Sequence, residues 1–399
     1  MRIYLDHNAG APLRPEVRSA IARFAEAEDA GNPAAVHRSG QRARRALEQA
    51  RERVARLIGA AAHELVFTGG GTESNNLAIR GAAEASAARR RIVTSAIEHS
   101  SVLAPLEYLA AKGFEVIRLA PDRAGRIAPA AVEAALDSDT VLVSLALANA
   151  EVGTIQDVAA MAEPIARAGA SFHLDAAQAA GRIPINVGSD LRCDLLTISG
   201  HKIGAPAGIG ALYVRSGLAL APLIMGGPHE AGMRAGTPNL LGAIAFGVAA
   251  EAAGANLDEE SARVATLAQL MLARLGASIP GLRLNGAADH KLANTFNLTF
   301  PEVLGESMLI ALDLEGVEVS MGSACAAGAV EPSHVLLAMG LGRDEARSSL
   351  RLSIGWSTAA DEIDRAAEII ARVWRRVRAA EPLASTVPTR PGVAGEALR

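Results

Sequence analysis

The stretch that decides the fold is Ser171-Phe-His-Leu-Asp-Ala-Ala-Gln178, followed by Asp194-Leu-Leu-Thr-Ile-Ser-Gly-His-Lys202. In each segment a short apolar run ends in polar side chains. Runs of this length predict buried strands of a parallel sheet, whose ligands lie just beyond the carboxyl ends of the strands. One crevice should therefore collect the polar side chains that follow the two strands: Asp175, Gln178, Ser199, His201 and Lys202.

The pair Asp175 and Lys202 supports two hypotheses. A lysine at a buried strand end is costly unless its pKa falls or it is bonded covalently. A pyridoxal phosphate site needs such a lysine for covalent attachment, and it needs a nearby acid to keep the pyridine nitrogen protonated. A buried Asp175–Lys202 ion pair that ties the two strands together explains the same residues, and both hypotheses remain open here.

The composition excludes several classes of protein. The 399 residues are 50% hydrophobic and 21% charged, which is typical of a globular protein with two or three domains. A net charge of -4 without a long basic run argues against a nucleic-acid partner. Two cysteines in all favour a reducing compartment. The N-terminus has no signal-peptide core, and the longest apolar stretch, Leu240 to Ala250, is too short to span a bilayer. We expect a cytoplasmic protein without membrane contact.

The remaining chain alternates short apolar runs with segments of helical spacing. This alternation predicts an α/β fold with a mainly parallel sheet covered on both faces. The predicted strands cover residues 65–68, 92–95, 114–119, 141–148, 172–174, 195–198 and 209–214. The predicted helices between them cover residues 43–58, 102–111, 129–136 and 158–168.

The domain organisation predicted from the pattern has four parts. Residues 1–20 form an irregular arm, broken by Pro12 and Pro15, that belongs with the smaller domain. The large domain covers 21–255, the small α+β domain covers 256–380, and 381–399 have the composition of a disordered tail. After helices over 240–276, the small domain has predicted strands at 294–300, 317–320 and 350–354 and helices at 305–312 and 362–378.

Three further motifs are ambiguous when each is taken alone. The turn Gly69-Gly-Gly71-Thr72 follows a strand and opens a helix, so its N–H groups favour an anion, although most such turns bind nothing. No lysine follows the glycines, which excludes a P-loop. His99 has the features of an ordinary core histidine. The glycine-rich segment 226–237 has the features of a surface loop.

The cysteines and one arginine carry a clearer signal. Cys325 is surrounded by Gly, Ser and Ala in Met321-Gly-Ser-Ala-Cys325-Ala-Ala-Gly, which predicts an accessible loop and a reactive thiol. Cys193 lies beside a predicted strand and should be buried and inert. Arg351 falls within an apolar strand, where a guanidinium requires a carboxylate, and an internal Asp or Glu is the simplest partner.

Taken together and in this order, the motifs resemble the class V aminotransferase family and, within it, the cysteine desulfurases of the NifS/IscS type. The resemblance runs from Tyr4-Leu-Asp6 to Arg351 and leaves out only about the last 20 residues. It implies a pyridoxal phosphate-dependent transferase of fold type I, and a homodimer. It also implies an activity that takes sulfur from L-cysteine, releases L-alanine and leaves a persulfide on Cys325. The sulfur would pass to an acceptor or scaffold protein, for iron–sulfur cluster assembly or another sulfur transfer.

The resemblance also implies residue roles. Lys202, Cys325 and His99 are catalytic, and the His99 ring stacks on the cofactor, where it can move protons. Arg351 and Asn149 bind the substrate, and Cys325 is a transient iron–sulfur ligand. Thr237 reaches the phosphate of the neighbouring subunit. The full cofactor-binding set is Gly71, Thr72, His99, Asp175, Gln178, Ser199, His201, Lys202 and Thr237.

The sequence departs from the family pattern at three places. Asn149-Ala150-Glu151 replaces Asn-Asn-Glu, Gly10 and Ala11 stand where the family has threonines, and residues 204–208 are altered. Two other interpretations therefore remain. One is another class V enzyme, either a selenocysteine lyase or an aminotransferase. The presence of Cys325 argues against an aminotransferase. The other is a non-catalytic scaffold, for which Ala150 is the only indication.

Overall fold

The structure is a computed structural model that describes residues 2–26, 31–86, 88–322 and 331–380. Within these ranges the strands are β1 (Ile3–Tyr4), β2 (Leu65–Thr68), β3 (Arg91–Ser95), β4 (Glu115–Leu119), β5 (Thr140–Ala146), β6 (Ser171–Asp175), β7 (Leu195–Ser199), β8 (Gly210–Val214), β9 (Arg283–Asn285), β10 (Thr295–Thr299), β11 (Val317–Glu318) and β12 (Ser349–Ser353). The helices are α1 (Pro15–Glu26), α2 (Arg38–Leu57), α3 (Gly71–Ala85), α4 (Ser100–Ala110), α5 (Pro129–Ala135), α6 (Val158–Arg167), α7 (Leu240–Ala255), α8 (Leu257–Ser278), α9 (Gly305–Leu314), α10 (His334–Ala338), α11 (Arg343–Arg347) and α12 (Ala360–Ala380).

A sheet of seven strands forms the centre of the larger body, in the order β2-β8-β7-β6-β5-β3-β4. Every pairing is parallel except those of β8, which runs antiparallel to both of its neighbours. Apolar clusters cover both faces, one with α2, α6 and α7 and the other with α3 and α4. The predicted α/β class with a mainly parallel sheet is therefore confirmed.

The smaller body has a core of its own. Its three-stranded antiparallel sheet, β12-β10-β9, packs with α8, α9 and α12. The chain enters this body through a bend of 73° between α7 and α8. Strand β9 was not predicted, because only three residues pair there and two of them are exposed. Among the described helices none is by itself long and apolar enough to cross a membrane; only α7 and α8, counted together as a bent pair, reach that length and composition.

The N-terminal arm differs from the prediction of an irregular segment over residues 1–20. Helix α1 begins at Pro15, the residue that was expected to break regular structure. A proline is tolerated at the first helical position because the N–H that it lacks has no partner in the helix. Before it, β1 pairs with β11 of the smaller body. Further along, the N–H of Ala11 donates to the carbonyl of His201 at 2.8 Å, so the arm also reaches the turn that carries Lys202.

Candidate active site

Lys202 ends the short turn that directly follows β7. Its Nζ donates to two main-chain carbonyls of the arm, those of Asn8 and Ala9. The pKa of Lys202 is lowered to about 8, first by burial and then by the positive charges of Arg182 and Arg351. An amine with this pKa loses its proton readily near neutral pH and can then act as a nucleophile or a base.

Asp175 is the last residue of β6, the strand that pairs with β7. Parallel pairing sets it opposite Thr197, so its carboxylate lies beside the strand that leads to Lys202. One carboxylate oxygen accepts from Asn75 Nδ2 at 2.8 Å, and the other accepts from the N–H of Ala177 at 2.9 Å. Asp175 and Lys202 form no ion pair with each other in the described structure, so the hypothesis of a simple structural pair is wrong.

His99 connects to Asp175 through two residues that sequence reasoning missed. The N–H and the hydroxyl of Ser101 both lie within hydrogen-bond distance of His99 Nδ1, at 3.1 and 2.7 Å. Asn75 Nδ2 donates to the Ser101 hydroxyl at 2.8 Å and also to Asp175. Because Nδ1 accepts, the ring of neutral His99 carries its proton on Nε2. Burial lowers the pKa of His99, which favours this neutral form.

The glycine-rich turn lies against the end of β7. Gly70 has φ +148°, a conformation that side chains rarely adopt, and α3 starts at the next residue. A Cβ on Gly71 would come within 3.3 Å of Ser199 Cβ, so the first turn of α3 and the strand end that precedes Lys202 are in close contact. Gly71 and Thr72 thus place helix N-terminal N–H groups near that strand end, where an anion is stabilised.

Three other predicted cofactor residues lie near this turn or the lysine. The Ser199 hydroxyl and His201 Nδ1 are 3.0 Å apart, and the pKa of His201 is lowered to about 4 by burial and by the charge of Lys202. Thr237 lines a cavity that it shares with Gly69 of the glycine-rich turn. The arrangement therefore brings Ser199 and His201 together and places Thr237 at a cavity beside the turn.

Gln178 is held by groups that the sequence did not single out. Its Nε2 donates to the carbonyl of Asn8 at 3.0 Å, and its Oε1 accepts from Arg182 Nη1 at 2.6 Å. The Arg182 guanidinium donates only to carbonyl and amide oxygens, and burial lowers its pKa to about 10. At neutral pH Arg182 therefore keeps a positive charge close to Lys202 that no carboxylate contacts within the described residues.

The Asn149 side chain forms hydrogen bonds with the main chain of two loops. Its Nδ2 donates to the carbonyl of Ile97 at 3.0 Å, and its Oδ1 accepts from the N–H groups of Glu151 and Val152. The side chain is buried and holds the main chain around Ala150 in place. A direct contact between Asn149 and a substrate therefore remains a prediction.

Arg351 has the internal carboxylate partner that its place in an apolar strand requires. Its Nη2 contacts Asp6 Oδ1 at 2.7 Å, and its Nη1 donates to the carbonyl of Ala150 at 3.3 Å. The remaining donor, Nε, is buried and has no partner in the described structure. Asp6 comes from the N-terminal arm, and sequence reasoning missed its role because nothing local predicts the contact.

Of the two cysteines, the structure describes Cys193 and not Cys325. Cys193 is 2% exposed, so the prediction of a buried packing residue is confirmed, and burial raises the pKa of its thiol to about 12, which favours an unreactive thiol. Cys325 lies outside the described residues, and its role stays a prediction. Within the described ranges no group of three or more His, Cys, Asp or Glu side chains could hold a metal ion.

These residues fit pyridoxal phosphate. The Lys202 amine is free of any carboxylate in the described structure, and Asp175 presents a fixed carboxylate at the adjacent strand end. The buried Oδ1 of Asn75 has no partner within the described residues, and a Cβ would crowd Gly71 against Ser199. The pyridoxal aldehyde requires an amine, and the ring nitrogen requires an acid. The phosphate requires N–H groups at a helix N-terminus that the main chain can bring close to it.

Comparisons with known proteins agree with this geometry. The aminotransferase class-V family matches residues 3–366. The cysteine desulfurase IscS of Dictyoglomus turgidum is 42% identical over 381 residues, which cover 95% of this chain and 96% of that protein. A solved NifS-like protein superposes with a TM-score of 0.88 at 33% identity, covering 94% of this chain and 100% of the other. A structure of SspA in complex with cysteine superposes with a TM-score of 0.79 at 35% identity, covering 89% and 99%.

The matches cover nearly all of this chain and nearly all of each matched protein. Fold, cofactor and activity therefore apply to the chain as a whole and not to one part of it. The chain belongs to the aminotransferase class-V family, and within it to the pyridoxal phosphate-dependent cysteine desulfurases of the NifS and IscS type.

Proposed function

We propose that Lys202 and Asp175 form the catalytic centre of this desulfurase and that Cys325 takes the sulfur from L-cysteine. The observation that carries the proposal is the position of Lys202 at the strand end next to Asp175, with a lowered pKa and no carboxylate partner in the described residues. The cysteine bound by the structurally similar SspA supports the same substrate.

The proposed cofactor contacts follow from the site. Lys202 would hold the cofactor covalently, Asp175 would keep its ring nitrogen protonated, and His99 would contact its ring. The remaining members of the set are Gly71, Thr72, Gln178, Ser199, His201 and Thr237. When bound, pyridoxal phosphate supplies an electron sink that stabilises negative charge at the α-carbon of an amino acid.

Proton transfer is assigned to Lys202. When the Lys202 amine is free, its lowered pKa allows it to be neutral. The neutral amine removes the proton from the substrate's α-carbon. Arg351 binds the α-carboxylate and thereby holds the α-carbon in reach of that amine.

Sulfur transfer is assigned to Cys325. Its thiolate attacks the sulfur of cysteine, a new S–S bond forms, and the Cβ–S bond of the substrate breaks. The electron pair of the broken bond stays with the carbon fragment, which takes up protons and leaves as alanine. One cysteine and one enzyme thiol thus give one alanine and one persulfide, without an external oxidant or reductant.

The proposal also covers the protein's partners and its location in the cell. We propose a homodimer in which Thr237 contributes to the neighbouring subunit's phosphate site. We also propose a cytoplasmic location and a protein that accepts the persulfide sulfur, for iron–sulfur cluster assembly or another sulfur transfer. Cys325 would then also be a transient ligand of the nascent cluster. The name IscS of the Dictyoglomus turgidum relative supports a role in sulfur transfer.

The test is mass spectrometry of the holoenzyme after brief exposure to L-cysteine. A gain of one sulfur atom is expected on the peptide that contains Cys325, together with alanine in the supernatant. Cys325→Ser should still bind the cofactor but produce no persulfide and little alanine, because a hydroxyl attacks sulfur poorly at neutral pH.

The matched control is Cys193→Ser. Since the Cys193 thiol is buried and its pKa is raised to about 12, this variant should form the persulfide on Cys325 as the parent does. A persulfide on Cys193, or full alanine production by Cys325→Ser, would contradict the assignment.

A further inference from the structure

The pair formed by Arg351 and Asp6 is unusual because the arginine proposed for the substrate already holds a carboxylate. Arg351 lies in the middle of β12 and is 5% exposed. Its Nη2 contacts only one of the two Asp6 oxygens, at 2.7 Å. Because Nε is buried and unpartnered, the fork that binds a carboxylate through two N–H groups is half used. The guanidinium therefore retains binding capacity that Asp6 does not satisfy.

The main chain at Asp6 is fixed. Asp6 forms a parallel bridge with Ser353 at the end of β12, and the next residue, His7, donates its N–H to the Ser353 carbonyl at 3.1 Å. The Tyr4 hydroxyl donates to the Asp6 carbonyl at 3.0 Å. The Asp6 side chain is 18% exposed whereas that of Arg351 is 6% exposed, so the carboxylate is the accessible half of the pair. Asp6 can thus turn its side chain without moving the arm.

The pair lies at the edge of the lysine site. Lys202 Nζ donates to the carbonyl of Asn8, two residues after Asp6. The charges of Arg351 and Asp6 both act on the Lys202 amine, with opposite signs. An amino acid that brings its α-carbon to Lys202 therefore brings its carboxylate to the neighbourhood of this pair.

We propose that Asp6 sets the affinity for the substrate's α-carboxylate, because it occupies Arg351 in place of that carboxylate until cysteine binds. The proposal rests on the proposed role of Arg351 in binding that carboxylate. Binding then exchanges one carboxylate for another, so the buried guanidinium is paired before and after the exchange. Leaving such a charge unpaired would be strongly unfavourable. A ligand without a carboxylate leaves the Asp6–Arg351 pair in place, whereas every ligand with a carboxylate must displace Asp6 and is therefore bound more weakly.

The experiment measures inhibition of the holoenzyme by two fragments of the substrate. The first, 3-mercaptopropionate, has the carboxylate and the thiol but no amine, and cysteamine has the amine and the thiol but no carboxylate. In Asp6→Asn the competing charge is gone, so the Ki of 3-mercaptopropionate should fall about tenfold while that of cysteamine changes little. Asp6→Glu keeps the charge and should keep the parent value of the Ki to within about threefold.

A second measurement tests the proposal if Asp6→Asn folds poorly. Asp6→Ala leaves space next to Arg351, and acetate should fill it and raise the melting temperature of the holoenzyme as its concentration rises. The parent and Asp6→Glu should show no such dependence. A Ki of 3-mercaptopropionate that does not fall in Asp6→Asn, or the absence of stabilisation by acetate in Asp6→Ala, would overturn the proposal.

Arg351→Met separates this inference from the proposed function. If that variant binds 3-mercaptopropionate as well as the parent does, Arg351 is not the carboxylate site, and the proposed function fails at this residue. If Arg351→Met weakens the inhibitor and Asp6→Asn leaves it unchanged, only the role of Asp6 is wrong.

Discussion

The strand ends and the N-terminal arm both contribute to the site of Lys202, but in different ways. At the strand ends, Asp175 is the last residue of β6 and Lys202 ends the turn after β7, and parallel pairing brings both to the same edge of the sheet. The arm has little regular structure at this point, and it contacts the lysine amine through the carbonyls of Asn8 and Ala9. In our proposal the sheet therefore supplies the groups that react, and the arm supplies contacts that position them.

Asn8 shows how firmly the arm is held. Its side chain is buried and donates to the carbonyl of Ala150 at 3.0 Å and the hydroxyl of Thr295 at 2.9 Å. Its Oδ1 accepts from Arg182 at 2.9 Å and from Asn294 at 3.0 Å. Two of these partners belong to the larger body and two to the smaller one. The arm therefore connects the two bodies at the lysine.

The largest effect is expected at the strand end. Lys202→Ala should abolish turnover and the absorbance of the covalently bound cofactor, because the amine that binds it and the base for the α-proton are both lost. Borohydride reduction of the parent followed by peptide mapping should place the cofactor on Lys202.

Lys291 provides the control, since it is a second lysine with a lowered pKa. Burial brings its pKa to about 8, and its amine lies 5.6 Å from the centre of the Phe296 ring. Lys291→Met should keep both cofactor absorbance and turnover. A label on Lys291, or on Lys112, would show that the strand-end assignment is wrong.

An intermediate effect is expected in the arm. Asn8→Ala removes four side-chain hydrogen bonds and leaves buried partners unsatisfied, which should lower the free energy of unfolding by about 3 kcal/mol. The main-chain carbonyl that contacts Lys202 remains, so turnover should fall by only about tenfold through misplacement. Urea unfolding and steady-state kinetics on the same preparations measure the two effects.

The exposed Asn256, between α7 and α8, is the matched control for this change. Asn256→Ala should leave turnover at the parent value. If Asn8→Ala lost turnover as completely as Lys202→Ala, the division between reacting sheet and positioning arm would not hold.

The same comparison explains what the sequence predicted and what it missed. All seven strands of the large sheet, and the placement of Asp175 and Lys202 at the ends of neighbouring strands, follow from apolar runs and from the rule for parallel sheets. Asn75 was missed although it follows the predicted glycine-rich turn closely, because an amide in the first turns of a helix has many ordinary roles. Asp6 and Asn8 were missed for another reason: their partners lie more than 140 residues away, and no local periodicity encodes such contacts.

The smallest effect concerns Ala150, where the arm and the loop after β5 meet. The Ala150 carbonyl accepts from Asn8 and from Arg351, so the main chain is held although the family's second asparagine is absent. We therefore expect Ala150→Asn to place its amide without moving the loop. A hydrogen bond worth about 1 kcal/mol, made only in the transition state, corresponds to a roughly fivefold higher kcat.

Two further variants make this prediction sharper. Ala150→Ser has a shorter side chain and should give no increase. Gly10→Thr restores one of the missing hydroxyls, and a Cβ at Gly10 would meet only His201 Cδ2, at 3.9 Å, so the change should be accommodated. If Ala150→Asn left kcat unchanged or lowered it, alone and combined with Gly10→Thr, the pocket would be adapted to alanine. The arm's contact with the Ala150 carbonyl would then be part of that adaptation, since it fixes the loop in a form that an asparagine cannot use.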